Sequence, residues 1–483
     1  MSEEPSAAGS DAGRLSLARR GALSTGSVAA QGLLRFLYSL IVGRLLGPAA
    51  LGVVNSSIAL AQFLSLAAPA GLGSAATTFI ARTNGAGSHA LAVGITAFLA
   101  RMTLLTGAVL SLIAAGLTAF VFDPGDWLEP VLVALLTFAL SAYSFVRGVY
   151  FAHGRMDRAL FWDIVTSVSG LLLLVGVIVL DWSALLLLPL AITYGVYAIA
   201  GWPRGGRLGE RVPSGLRHEI IAFIGWTSLA ALTTGGFLQL SMVIARAIGT
   251  AQAAGEYAAA LSLATPATMI GSILSITMMP TMAHAVGRDD RDSLRKQADL
   301  TTRTLALLLG LAFGCLIVAS RPLIAVLFGS RFQGADAILP ILMAASFVQS
   351  VNVGAVTALV TSHRSTVRVP SLLSLAGVVV GLGVMAALVP TLSVTGVAIG
   401  FLVSAVISGL GPILVVWRAH RMQWTGLFVR IACGVVLVGV LLVVTREWIG
   451  GYWADVVLAL GFAAAWLVIM LPELRILRRS IAA

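Results

Sequence analysis

The sequence predicts an all-α integral membrane protein of about fourteen transmembrane helices, in two six-helix lobes followed by two C-terminal helices. Three observations predict it. Hydrophobic residues make up 58% of the chain and charged residues only 11%. Apolar runs of roughly 20 residues recur from end to end, each enough to cross about 30 Å of hydrocarbon. A short segment near the start also returns in the middle: Arg44-Leu45-Leu46-Gly47, with Gly52 after it, is echoed by Arg246-Ala247-Ile248-Gly249, with Gly255 after it. One extra residue separates the glycines of the second copy. The echo implies two halves on one plan, as in transporters built from repeats.

Residues 1–20 open with Met1 to Ser10, rich in Ser, Ala, Gly and acid, and are expected to be disordered in the cytoplasm. Arg14, Arg19 and Arg20 precede the first apolar run, Ala22 to Val42. That run is too long for a signal-peptide core and carries Arg35, so it reads as a retained span. An N-lobe over 21–201 takes spans near 22–43, 51–79, 89–121, 129–151, 159–180 and 184–201. A linker rich in Arg, Gly and Pro covers 202–217. A C-lobe over 218–418 takes spans near 219–247, 254–283, 301–328, 334–362, 369–390 and 394–417. Residues 419–483 hold two more, near 427–447 and 453–472, and a cytoplasmic tail. Each half has an even number of spans, so both start on the same side of the membrane.

The net charge of +11 is almost all arginine placed between apolar runs, which fits topology better than a nucleic-acid groove. With the N-terminus inside, Arg82, Arg155, Arg158, Arg204, Arg217, Arg295, Arg418 and Arg475 are among many that fall in the cytoplasm. Only Arg44, Arg246, Arg321, Arg331 and Arg446 lie on or near the other side. This asymmetry predicts cytoplasmic N- and C-termini. The histidines fall one to each inner loop, too far apart for a metal site, and Trp127, Trp182, Trp202, Trp417, Trp424, Trp448 and Trp453 mark span ends as an aromatic belt. Cys315 and Cys433 lie in apolar runs and are expected to be buried free thiols. No nucleophile with its base, phosphate-cradling glycine loop or paired carboxylates occurs in the loops, so no catalytic residue and no cofactor are expected. The segment Gly287 to Arg303 alternates acids and bases and is expected to run as a helix into the ninth span.

The polar residues within the spans carry the functional information. On the first helix Ser24, Ser27, Gln31, Arg35 and Tyr38 recur every three or four residues and share one face. An arginine at mid-membrane costs roughly 2.5–3.5 kcal/mol on insertion scales unless it faces protein or water. Two readings of Arg35 are open: a cavity residue, or one that snorkels or caps helix contacts. Asn55 and Gln62 on the second span, and Gln239, Thr265, Ser272, Gln349 and Asn352 on the seventh, eighth and tenth, add to a polar cavity between the halves; singly, each is an ordinary interhelical hydrogen bond. Arg101 points either to the cavity or to the inner headgroups. Arg44 and Arg246 close their helices, where a cation suits the dipole and a glycine follows. Asp163, the one obvious carboxylate inside an apolar run, either pairs with Arg147 or Arg158 or couples transport to an ion. Arginine and amides without a deep carboxylate favour an anionic head group, since guanidinium matches phosphate geometry.

Leu40-Ile41-Val42-Gly43-Arg44-Leu45-Leu46-Gly47-Pro48, with Gly52 and then Gly71-Leu72-Gly73, resembles the start of the Wzx-type polysaccharide-transporter flippases. Their superfamily also holds multidrug and toxic-compound exporters and lipid II flippases. The resemblance continues through Met279-Pro280, Leu327-Phe328-Gly329 with Ala335 and Leu342, and Ser362-His363-Arg364, and so covers nearly the whole chain. It implies fourteen helices, two lobes around a cationic cavity, and alternating access that moves an undecaprenyl-type diphosphate-linked oligosaccharide outward. Of the family's cationic cavity residues only Arg35 is matched by position. Where the family often has an acid near the end of the seventh helix, this chain has Ser241, so coupling through an acid there is not expected.

The expected function is therefore a flippase for a lipid-diphosphate-linked oligosaccharide or related cell-envelope precursor, in a bacterial plasma membrane. Arg35 would attract the phosphates, and Gln31, Asn55, Gln62, Gln239, Gln349 and Asn352 would contact sugars or order water. Its partners would be the polyprenyl-diphosphate-linked glycan, the bilayer, and a polysaccharide polymerase or other envelope-synthesis proteins. The alternatives are an ion-coupled drug antiporter of the same fold and a non-transporting scaffold of envelope synthesis.

Overall fold

The computed structural model describes residues 7–122, 125, 127–204, 210–265, 291–362, 368–419, 421–448 and 451–482. The described residues are helical with no strand. The helix α1 (Ala7–Leu46) begins well ahead of its apolar run, so residues 7–20, expected to be disordered, are helical. Alanine, leucine and arginine favour helix there, and no proline interrupts. Gly47, at φ 90°, ends α1 in the left-handed region, and Pro48 opens α2 (Pro48–Ala67). The second span breaks at Ala68, ahead of Pro69, then resumes as α3 (Pro69–Ala75), a π-turn (Ala76–Ile80) and α4 (Ala81–Gly85).

The chain continues through α5 (His89–Leu117), α6 (Leu128–Ala152), α7 (Met156–Val179) and α8 (Leu188–Gly201). The seventh expected span is α9 (Ser214–Ala231), a π-turn (Leu232–Gly236) and α10 (Phe237–Ile248). Next come α11, described over 251–265, then α12 (Arg291–Val318), α13 (Ser320–Leu327), α14 (Ala335–Val351) and α15 (Val353–Ser362). The chain closes with α16 (Arg368–Ala419), α17 (Thr425–Val443), α18 (Tyr452–Ile469) and α19 (Leu471–Ala482).

Twelve helices among the described residues are long and apolar enough to cross a membrane. The count is lower than about fourteen for two reasons. The 52-residue α16 holds two expected spans in a hairpin folded at Ser393 (φ 48°, ψ −130°). Its arms run antiparallel: a Cβ on Gly377 would press on the Ser404 carbonyl and one on Gly396 on Leu388. The expected span 254–283 is described only to residue 265. Ser272, Met279-Pro280 and His363-Arg364 likewise lie outside the described residues.

The chain divides into two compact units, one of residues 1–38 and 57–239, the other of 39–56 and 240–483. This boundary differs from the expected one in the linker 202–217. The physical reason lies in close packing at glycines. Residues Ser39 to Ser56 pack within the second unit, where Gly43 lies against Phe328 and Gly52 against Ala251. In the first unit α9 packs on α3, where Gly71 lies against Ile224. There α6 is the central element, packed against α3, α5, α7 and α8. In the second unit α12 is central, packed against α14, α15, α17 and α18. Gly310 and Gly434 admit the indole of Trp466, whose Nε1 donates to the Leu307 carbonyl at 2.9 Å, and Gly314 admits the ring of Phe462. Cys315 is half-buried and donates to the Ala459 carbonyl at 3.5 Å. Cys433, expected to be buried, is exposed on α17, because an apolar residue of a membrane helix also occupies the lipid face.

Candidate functional site

The polar face of α1 runs through the first unit. Arg35 is half-buried at the middle of its span. Its Nη1 donates to Gln62 Oε1 at 2.8 Å, so α1 and α2 together fix the guanidinium. Its buried Nε has no hydrogen-bond partner, and among the described residues Arg35 forms no ion pair. One turn further on, the Tyr38 hydroxyl donates to the Leu186 carbonyl and locks the face in place.

The other half of that face serves a different cluster. Asp163 on α7 is fully buried and accepts hydrogen bonds from the Ser27 hydroxyl, from Gln31 Nε2 at 3.1 Å and from the Tyr143 hydroxyl at 3.0 Å. Arg147 Nε lies 4.0 Å from its carboxylate, and Arg147 Nη2 donates to Ser27 Oγ at 3.0 Å. The Tyr194 hydroxyl donates to Gln31 Oε1 at 2.9 Å. Tyr143 stands edge-on to both Tyr194 and Tyr197 and has the Arg147 guanidinium 5.9 Å from its ring. Of the two partners considered for Asp163, the ion pair is with Arg147. Gln31, on the same helix face as Arg35, is thus spent on Asp163 and Tyr194.

The remaining predicted residues have local partners or none. Asn55 accepts from Ser39 Oγ at 3.0 Å and donates to the Leu51 carbonyl at 3.3 Å. Asn352 donates to the Ser408 carbonyl at 3.3 Å. Gln239 and Gln349 are half-buried, with no hydrogen bond to any described residue. Ser241 is fully buried and accepts from the Tyr257 hydroxyl at 2.9 Å, so the position where an acid was considered carries a neutral hydroxyl pair.

The repeated motif has a structural counterpart in the second unit. A Cβ on Gly52 would overlap the carbonyl oxygen of Ala251, and a Cβ on Gly255 that of Pro48. The second glycine of each copy therefore lies on the turn that opens the other, a reciprocal clasp that only glycine permits. Arg44 in the last turn of α1 donates to the Val326 carbonyl at 3.0 Å, and Arg246 occupies the last turn of α10. The Gly71-Leu72-Gly73 segment is a packing element as well, with Gly73 against the Ser144 carbonyl on α6.

Three further buried carboxylates escaped the sequence reading. Glu129 accepts from Ser57 Oγ at 2.6 Å. Asp455 receives Arg321 through two bonds, at 2.7 and 2.9 Å. Glu473 on α19 is fully buried between Arg303 and Arg430, and Arg303 also donates to Asp299 and to the Gln423 carbonyl, each at 2.9 Å. Each of these acids sits at a span end, where sequence alone cannot separate a buried pair from a solvated charge. The Pro beside Glu129 and Glu473 is the only local signal.

The model of a family described as "Polysaccharide biosynthesis protein" matches residues 41–337, and that described as "Lipid II flippase MurJ" matches residues 210–473. No curated protein matches the chain in sequence. Among solved structures, the chain is similar to the lipid II flippase MurJ in an inward closed conformation, at 11% identity over 95% of this chain and 99% of that one, with a TM-score of 0.68. It is also similar to the eukaryotic MATE transporter AtDTX14, at 13% identity over 83% and 95%, with a TM-score of 0.60. An inward-facing multidrug resistance MATE family transporter of the MOP superfamily matches at 18% identity over 85% and 95%, with a TM-score of 0.57. At these identities the likeness is one of fold.

Proposed function

The chain belongs to the polysaccharide biosynthesis protein family and to the MurJ lipid II flippase family whose match overlaps it, and on that premise we propose that it is a Wzx-type flippase that moves a lipid-diphosphate-linked oligosaccharide or related cell-envelope precursor across a bacterial plasma membrane. One observation carries the reading: Arg35 is held at mid-span by Gln62 and has no carboxylate partner among the described residues. A half-buried guanidinium at mid-span, with its Nε buried and unpaired and no carboxylate beside it, is unfavourable unless an anion visits it. A diphosphate fits it through charge-assisted, planar hydrogen bonding.

Gln62 orients Arg35, and Gln239 and Gln349, free of hydrogen bonds to described residues, are the amides best placed in chemistry to meet sugar hydroxyls. Asn55 and Asn352 would have to exchange their present bonds to do so, as would Gln31. The lipid tail remains in hydrocarbon while the head group crosses. With Asp163 neutralised by Arg147, the membrane potential or the precursor gradient drives the cycle rather than protonation of that acid.

A drug antiporter of the same fold is less well supported, since a cationic drug calls for a free acid in the spans, and Asp163 is already paired. Complementation tests the proposal. A strain lacking its own flippase and expressing this chain should clear the inner-leaflet lipid-linked precursor that otherwise accumulates. Unchanged accumulation with normal membrane abundance, together with drug sensitivity on deletion, would favour the antiporter.

A further inference from the structure

A membrane-facing groove of about 600 Å³ runs along the first unit between α5, α6 and α8, separate from the polar face of α1. Its walls include Leu104 on α5, Phe138 and Ala142 on α6, and Gly195 on α8, and its lining is hydrocarbon until the last two residues, Trp202 and Arg204. Leu135 and Ile199, at 50% and 69% exposure, leave it open to lipid. Its volume is within the roughly 300–1,000 Å³ of ordinary ligand sites.

We propose that this groove binds one anionic glycerophospholipid, with an acyl chain along α8 and the phosphate on Arg204. Charge complementarity argues for the head group. Arg204 stands just past the end of α8, exposed and without an ion pair among the described residues, beside a tryptophan of the kind that seats at headgroup level. Arg101, also exposed, lies one turn before Leu104 on the opposite wall. Length argues for the tail. From Leu188 to Trp202 the groove follows α8 for about 21 Å at 1.5 Å per residue. One leaflet is about 15 Å of hydrocarbon. A fatty-acyl chain with its glycerol and phosphate fills that distance, whereas the polyprenyl tail of a flippase substrate would leave most of its length outside.

The test is lipid retention by the full chain, purified in mild detergent and re-exposed to phosphatidylglycerol or phosphatidylcholine, with bound lipid counted by native mass spectrometry. Gly195→Leu fills the groove from a position whose Cβ direction is open, and so spares the fold. Arg204→Gln removes the cation. Wild type should hold one phosphatidylglycerol and little phosphatidylcholine. Retention should fall about fivefold in Arg204→Gln, as expected for one cation near an anionic lipid, and be lost in Gly195→Leu. Equal retention by wild type and both variants, equal binding of the two lipids, or polyprenyl phosphate as the retained species would each overturn the proposal.

Discussion

Replacing Asp163 separates a structural ion pair from an ion-coupling site. Its carboxylate accepts three hydrogen bonds and lies 4.0 Å from Arg147 Nε. Two unit charges at that distance attract by about 4 kcal/mol at an effective dielectric of about 20. Desolvation offsets much of this in the intact pair, but removing one partner leaves the other charge buried alone, a change of about 3–5 kcal/mol. Asp163→Asn can keep the Oδ1 acceptor for Gln31 and Tyr143, replaces the oxygen that faces Ser27 with an amide donor, and strands Arg147. We expect a lower unfolding midpoint and lower membrane abundance, with transport per folded molecule retained. Asp163→Asn combined with Arg147→Gln removes both charges and should recover most of the loss. The assays are fluorescence-detected thermal unfolding in detergent, quantitative membrane immunoblotting and precursor clearance in the complemented strain. Full stability and abundance with transport abolished would refute the structural reading and make Asp163 a coupling residue.

Other outcomes follow from the same contacts. Glu473→Gln removes the acid shared by Arg303 and Arg430 and should destabilise the second unit by about 3–5 kcal/mol. Limited proteolysis should then release α19 earlier than in wild type. Gly255→Val presses side-chain atoms onto the Pro48 carbonyl, an overpacking cost of about 1–3 kcal/mol or more because the obstacle is backbone. A cysteine at Ala49, in a background lacking Cys315 and Cys433, should then label faster with a membrane-impermeant maleimide applied from outside. Arg321→Met strands the fully buried Asp455 and should lower the unfolding midpoint, whereas Arg321→Met with Asp455→Asn should restore much of it.

The spans were legible because lipid demands long apolar helices whatever their partners, and the boundaries of α5 to α8 follow the apolar runs within a few residues. The hairpin at Ser393 was legible as two spans for the same reason, although its tightness depends on Gly377 and Gly396, which no hydropathy pattern singles out. Helical periodicity placed Ser27, Gln31, Arg35 and Tyr38 on one face, as the structure has them. It did not reveal that this face divides, Ser27 and Gln31 turning to Asp163 while Arg35 turns to Gln62. That division depends on where α2 and α7 pack, a long-range property. The repeated glycines advertised the two halves, but their mutual contact requires knowing that each copy's second glycine meets the other's turn. Glu129, Asp455 and Glu473 were missed because burial of a charge at a span end is decided by a distant arginine or serine.

In the proposed function Arg35 is the cation that engages the substrate's diphosphate. The most direct test of that role is flipping of a fluorescent polyprenyl-diphosphate oligosaccharide by purified protein in proteoliposomes, comparing wild type, Arg35→Lys and Arg35→Ala at matched incorporation and thermal stability. Arg35→Ala should abolish flipping and Arg35→Lys should retain part of it, since lysine keeps the charge without the planar fork. Equal flipping by all three would contradict it and leave Arg35 a structural partner of Gln62.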